Sequence, residues 1–179
     1  MNAPSVEPRA EHFPHRIVET MRFANTDRNG HITSSVFAVC CQSGRLALLS
    51  DPTRAIVRRP ASQFVLARLV LEYRREMDWP GIVEIGTRVE QIGRSSSVLA
   101  QALFQANSCV ATAQSLAVLM DTTTRRSMAF PQGSAQSLLG FACKGHGTDA
   151  SPALRQGRVV LHTRAGITHP SALRPPDDI

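Results

Sequence analysis

Apolar and polar residues alternate along most of the middle of the chain, and helical spacing appears in one long stretch near its start. In 82–92, Val83, Ile85, Thr87 and Val89 take one parity and Glu84, Arg88 and Glu90 the other. Period two of this kind is the mark of a strand with one buried face. Residues 63–75 put Val65, Ala67, Leu69, Leu71 and Tyr73 on one face, and 95–106 and 109–121 are β-compatible runs of similar length. The connections are short: DWPG, Gly93-Arg94 and Asn107-Ser108. Short connections favour antiparallel neighbours. Upstream, from His15 to Phe23, Ile17, Met21 and Phe23 share a parity opposite to Arg16, Thr20 and Arg22, which predicts a further strand.

Between that strand and the four long runs lies ANTDRNGHITS, rich in turn formers and containing Asn29-Gly30. A helix follows over 34–49. Val36, Phe37, Cys40, Cys41, Gly44, Ala47 and Leu48 fall on one broad, uncharged stripe. Thr33, Ser34 or Ser35 can cap its start, and Asp51-Pro52 ends it. Gly44 on the stripe allows close approach to a sheet. The order strand, turn, buried helix, four long strands predicts an α+β domain: a long curved antiparallel sheet wrapped around one central helix. We expect residues 1–14 to be a flexible lead, 15–142 to form the domain with a short helix within 131–142, and 143–179 to be a mobile tail.

Composition narrows the function classes. The chain has 179 residues, 42% hydrophobic and 19% charged, the balance of a soluble globular domain. No stretch approaches the roughly 20 apolar residues of a membrane span, and the N-terminus lacks the apolar core of a secretion signal. Cytoplasmic residence is the expectation. Cys40, Cys41, Cys109 and Cys143 lack zinc-ligand spacing and read as reduced core thiols, so no metal is expected. The net charge of +6 comes from scattered arginines with few aromatics, which does not point to nucleic acid.

The stretch Met21-Arg22-Phe23-Ala24-Asn25-Thr26-Asp27-Arg28-Asn29-Gly30-His31-Ile32 resembles the active-site loop of the 4-hydroxybenzoyl-CoA thioesterase family. Leu71-Glu72-Tyr73-Arg74-Arg75, Val83-Glu84-Ile85, Val89 to Ser96 and Val110-Ala111-Thr112-Ala113 are similar to that family's long strands, in the same order. The resemblance covers about residues 15–131. It implies a hotdog fold and hydrolysis of an acyl-CoA or acyl carrier protein thioester. Asp27 matches the family's catalytic aspartate, as nucleophile or as general base for water. The backbone N–H near Ser34 would polarise the carbonyl, with Gly30 and His31 shaping the loop; His31, as a proton-transfer group, and Asn29, whose amide can orient a carboxylate or water, are further catalytic candidates. Gly93, Arg94, Ser95 and Ser96 would touch the coenzyme A portion, which belongs to the substrate, so no separate cofactor is implied. Relatives pair with active sites at the subunit boundary, so a homodimer or homotetramer is implied.

Simpler roles exist for each of these residues. Asp27 and Asn29 are common turn formers, His31 can bond locally, Ser34 and Ser35 can be caps, and Gly93 to Ser96 can be only a hairpin. Arg58 and Arg59 can be solvated or meet phosphates. The stripe of Val36, Phe37, Cys40 and Cys41 is core first and acyl-pocket lining second. The sequence departs from the family at Asn25, where an additional acid is common, at Thr33-Ser34, which replace an Asn pair, and at Gln42, where many relatives carry Glu. A noncatalytic acyl-CoA binding domain is therefore one alternative. A hotdog hydratase or dehydratase is another, since Asp27, Asn29 and His31 approach its Asp-x-Asn-Pro-x-His signature but are one residue short and lack the proline.

Overall fold

The computed structural model describes residues 7–51 and 61–142. Arg58, Arg59, Cys143 and the tail expected over 143–179 lie outside the described residues. Five strands, β1 (His15–Thr20), β2 (Ser62–Tyr73), β3 (Ile82–Ile92), β4 (Ser96–Gln105) and β5 (Ser108–Asp121), form one antiparallel sheet in the order β1-β3-β4-β5-β2. Helix α1 (Ser34–Leu49) lies on one face, and a short helix α2 (Ser134–Leu139) follows the last strand. This is the hotdog architecture.

The alternation read in 82–92 holds along β3: Val83, Ile85, Thr87 and Val89 are buried. They meet the helix stripe in two clusters. Phe37, Cys40 and Cys41 pack with Met21, Ile32, Val83, Ile85 and Leu103, while Leu48 and Leu49 pack with Val89, Leu99, Ala117 and Leu138 of α2. The β4–β5 hairpin closes through Ala106 and Asn107, both at positive φ (48° and 61°), between paired Gln105 and Ser108. Two successive left-handed residues twist the turn in the sense of the strands.

Three details depart from the periodicity. The first strand ends at Thr20, not Phe23, because Met21 N–H turns to Gly81 O and Phe23–Asn25 close a 3-10 turn. In β2 the register shifts between Leu66 and Arg68. Such a bulge reverses parity, so Phe64 packs inward before it and Leu69 and Leu71 after it. The segment assigned to a flexible lead carries core contacts: Phe13 is buried on the other face of the sheet, against Ala102 and Phe104. Gly86 makes room for its ring, since a Cβ there would sit 2.6 Å from it.

The helix stripe also holds a charge that the periodicity did not include. Arg45 is buried, and its Nη1 donates to Gln101 Oε1 at 3.2 Å. Gln101 Nε2 in turn donates to Cys41 O at 2.8 Å and Thr87 Oγ1 at 3.1 Å, tying the helix backbone to the sheet. Burial holds the Arg45 guanidinium below its ordinary pKa. Gly44 permits this contact: a Cβ would lie 2.8 Å from Gln101 Nε2 and Ile85 Cγ2 and 2.9 Å from Thr87 Oγ1. Gly44→Ala gains up to about 1 kcal/mol of helix propensity. Overpacking of this kind costs about 1–3 kcal/mol. The contacts are to three different groups, so relief at one leaves the others, and the expected result is net destabilisation. Urea unfolding of the variant checks it; a midpoint at or above that of the parent protein contradicts the packing account.

Candidate active site

The segment before α1 is a tight hairpin built by its own backbone. Thr26 and Ile32 bridge antiparallel, Asp27 N–H donates to His31 O at 2.8 Å, and Gly30 N–H donates to Asp27 O at 3.1 Å. Gly30 adopts φ +87°, a conformation favourable to glycine. The hairpin is moored at its base: Ile32 N–H donates to Met77 O, and Thr33 N–H donates to Asn25 O.

Asp27 sits at the turn. Its Oδ1 accepts from Asn29 N–H at 2.8 Å and His31 N–H at 3.2 Å. That is the turn-forming role of an aspartate. It also fixes the carboxyl group: Oδ1 is occupied, while no hydrogen bond reaches Oδ2 from the described residues. The side chain is exposed in the single chain. Asn29 contributes its backbone N–H. His31 directs Nε2 toward Glu76 Oε2 at 3.5 Å, an exposed pair.

The hairpin leads straight into α1. Thr33 is the N-cap, but it makes no side-chain cap hydrogen bond. Its Oγ1 instead donates to Asn25 O at 3.3 Å and lies 3.3 Å from Ser35 Oγ. The capping expected of Thr33, Ser34 or Ser35 is thus absent at the N-cap, and the dipole-positive end of a 16-residue helix remains open to an acceptor. Tyr73 Oη donates to Ser34 O at 3.2 Å, and the Tyr73 ring meets Phe37 edge-on at 5.1 Å. The sequence reading treated Tyr73 only as a strand-face residue, because its partner lies 39 positions away.

The Gly93 to Ser96 turn is elsewhere. Gly93 N–H donates to Ser96 O at 2.7 Å, and Arg94 and Ser95 carbonyls accept from Phe130 and Leu119 N–H. This turn follows Ile92, whereas Met21 N–H joins the Asp27 end of the domain to Gly81, just before Ile82. Eleven residues make ten steps of about 3.3 Å, which put those ends of β3 roughly 33 Å apart. Within one chain, the turn and Asp27 are not brought together.

The buried thiols do not compete for a catalytic role. Burial pushes Cys40 up to about 12 and Cys41 up to about 11, which keeps both protonated. Cys109 is raised as well, again chiefly by burial.

A second feature adjoins the helix start. A cavity of about 520 Å³ lies between β1 and α1, lined by Glu19, Met21, Arg22, Asn25, Val36 and Val39. Of the stripe residues weighed as acyl lining, Val36 faces this space, while Phe37, Cys40 and Cys41 are core. Glu19 was missed, although it shares the parity of Ile17 and Met21. An acid on the apolar parity of a strand was the available signal.

No helix among the described residues is long and apolar enough to cross a membrane. No match is found among curated proteins. Solved structures share the fold. A protein from Pseudomonas aeruginosa strain PAO1 aligns with a TM-score of 0.70 at 19% identity, over 78% of this chain and 99% of its own. A predicted thioesterase from Bacillus stearothermophilus aligns at 0.64 and 24%, over 73% and 98%. A thioesterase from Thermus thermophilus, solved with coenzyme A and Zn, aligns at 0.62 and 22%, over 73% and 96%. At these identities the likeness is one of fold. The family model of the thioesterase-like superfamily matches residues 21–138, from just after β1 to within α2, and the chain belongs to that superfamily.

Proposed function

We propose that the protein hydrolyses an acyl thioester of coenzyme A, or of an acyl carrier protein, to the free acid and the thiol, with Asp27 as its catalytic carboxylate. The observation that carries this reading is the Asp27 carboxyl group, anchored through Oδ1 alone in a hairpin that runs into the open N-terminus of α1. Attack on a thioester carbonyl builds negative charge on its oxygen, and preorganised N–H donors stabilise that charge. The first-turn N–H groups near Ser34 are such donors. Oδ2 has two possible tasks. As a general base it takes a proton from water while the resulting hydroxide attacks the carbonyl carbon; the C–S bond then breaks and the thiolate recovers the proton. As a nucleophile it forms an acyl-aspartyl anhydride with loss of thiolate, and water then cleaves the anhydride.

Release of free thiol across a panel of acyl-CoAs tests the reading, with an enoyl-CoA included. Loss of enoyl absorbance without thiol release would make the protein a hydratase. Tight acyl-CoA binding with no turnover, unaffected by Asp27→Asn, would make it a binding domain.

The working unit in this proposal is at least a homodimer. β2 is an edge strand, and Leu66, Val70 and Tyr73 along it are 47%, 39% and 55% exposed. A long edge with exposed apolar side chains is a pairing surface. If β2 pairs antiparallel with its copy, the Ser62 end of the second strand lies beside Tyr73 of the first. The registers Val65↔Val118 and Val118↔Ser96 place the Gly93 to Ser96 turn at that same end of the second copy. The turn that is remote from Asp27 within a chain is thus carried toward it by the partner, where its glycine and arginine can meet the coenzyme A portion. Leu66→Lys combined with Val70→Lys is expected to convert the dimer to monomer in sedimentation and to lower turnover in parallel. An unchanged dimer in that variant would place the interface elsewhere.

A further inference from the structure

The cavity between β1 and α1 is partly open to solvent, since Val39 in its lining is 54% exposed. Arg22 and Asn25 line it near the start of the helix, where Asn25 O accepts from Thr33 N–H. Val36 lies in the first turn and Val39 one turn further, so the apolar wall reaches roughly 7.5 Å along the axis from Ser34 at about 1.5 Å per residue. Opposite it, β1 runs antiparallel to β3, with Glu19 paired to Val83 and Thr20 to Ile82. Glu19 is therefore set back from Met21 by two residues along β1, away from the hairpin end. It is half-buried, and no hydrogen bond or ion pair reaches its carboxylate from the described residues. It is close enough to Cys40, one turn beyond Val36, to contribute to raising that thiol.

A half-buried carboxylate loses part of its hydration, and a hydrogen-bonded partner offsets that loss. Among the described residues none is supplied. We infer that this cavity receives the acyl group of the thioester, and that Glu19, set back from the hairpin end, selects acyl chains ending in a hydrogen-bond donor over plain alkyl chains. The inference rests on the thioester reading above and adds the substrate class to it. With the reacting carbonyl at the first-turn N–H groups, the chain of a short acyl group runs past Val36 and Val39 with Met21 on its other side. A terminal hydroxyl then donates to the Glu19 carboxylate, while a terminal methyl strips water from it and returns nothing. A site built to hydrogen-bond a hydroxyl discriminates far more strongly than one that fits a methylene.

Two thioesters of matched length separate the cases: 6-hydroxyhexanoyl-CoA and heptanoyl-CoA. The parent protein is expected to favour the hydroxyacyl substrate in kcat/KM by about tenfold or more, the scale of one hydrogen bond to a charged group. Glu19→Leu reverses the preference, and Glu19→Gln, which keeps an acceptor, retains part of it. Equal effects of Glu19→Leu on both substrates would mean that the cavity holds a part they share, and would overturn the inference, as would a parent preference for heptanoyl-CoA. Binding measured in Asp27→Ala keeps the two readings apart. Methyl resonances of Met21, Val36 and Val39 should shift with 6-hydroxyhexanoyl-CoA, and the added Glu19→Leu change should weaken that binding about tenfold. Methyl shifts without turnover in the parent protein sink hydrolysis and leave the cavity assignment standing. Turnover without methyl shifts does the reverse.

Discussion

Asp27→Ala is expected to lower thioester cleavage by about 100- to 10,000-fold, the range of a positioned acid–base group. The protein should still fold. Asp27 is exposed, and the hydrogen bonds it loses are two local ones, from Asn29 and His31 N–H, at the tip of a hairpin. Those N–H groups can turn to water, so the stability loss should stay near that of a turn or cap residue, about 1 kcal/mol. The Thr26–Ile32 bridge and the bonds from Ile32 to Met77 and Thr33 to Asn25 do not involve the side chain and keep α1 in place. A structural role and a catalytic role therefore predict different measurements. If Asp27 only shapes the turn, Asp27→Asn, whose amide oxygen still accepts from both N–H groups, should turn over like the parent protein. If Oδ2 takes the proton or attacks the carbonyl, Asp27→Asn should be nearly as slow as Asp27→Ala. Thiol release from both variants, with circular dichroism to show folding, decides it; near-parent rates in either folded variant remove Asp27 from the chemistry.

How far these features could be read beforehand follows from the range of the interactions behind them. The alternation of Val83, Ile85, Thr87 and Val89 is set by one buried face, so β3 and the stripe of α1 were visible in the sequence. The Asp27 hairpin was also local, with Asn29-Gly30 marking its turn. The bulge in β2 was not visible, because Ala67 differs from its neighbours only through how β2 registers with β5. Phe13 looked like part of a lead because its partners, Ala102, Phe104 and Gly86, lie far along the chain. Arg45 fell on the apolar stripe, yet its accommodation depends on Gln101, 56 positions away. The Gly93 to Ser96 turn was legible as a turn, whereas its distance from Asp27 required the sheet order. The cavity exists only in the gap between β1 and α1, and no periodicity reports a gap; the misfit of Glu19 on an apolar parity was its single trace.

The largest expected loss of stability falls on the residue that seats the helix start. Phe37 is 3% exposed and packs in one cluster with Met21, Ile32, Met77, Val83 and Leu103. Phe37→Ala removes a ring from close-packed surroundings and should cost about 3–5 kcal/mol. That is a large share of the roughly 5–15 kcal/mol that holds a domain together. At roughly 2–4 °C per kcal/mol for a chain of this size, Tm should fall by about 10 °C. The loss should reach function through geometry as well. The Phe37 ring supports Tyr73 at 5.1 Å, and Tyr73 Oη holds Ser34 O in the first turn of α1. Without the ring, the N–H donors proposed to face the carbonyl are held less firmly, and kcat should fall at temperatures where the variant is still folded. Tyr73→Phe separates the two effects, since it keeps the packing and deletes the hydroxyl. Its Tm should move little, because Tyr73 is 55% exposed, while its kcat should fall in the same direction as that of Phe37→Ala. A Phe37→Ala protein with the parent Tm would contradict the packing, and full kcat in Tyr73→Phe would show that the helix start is positioned without that hydrogen bond.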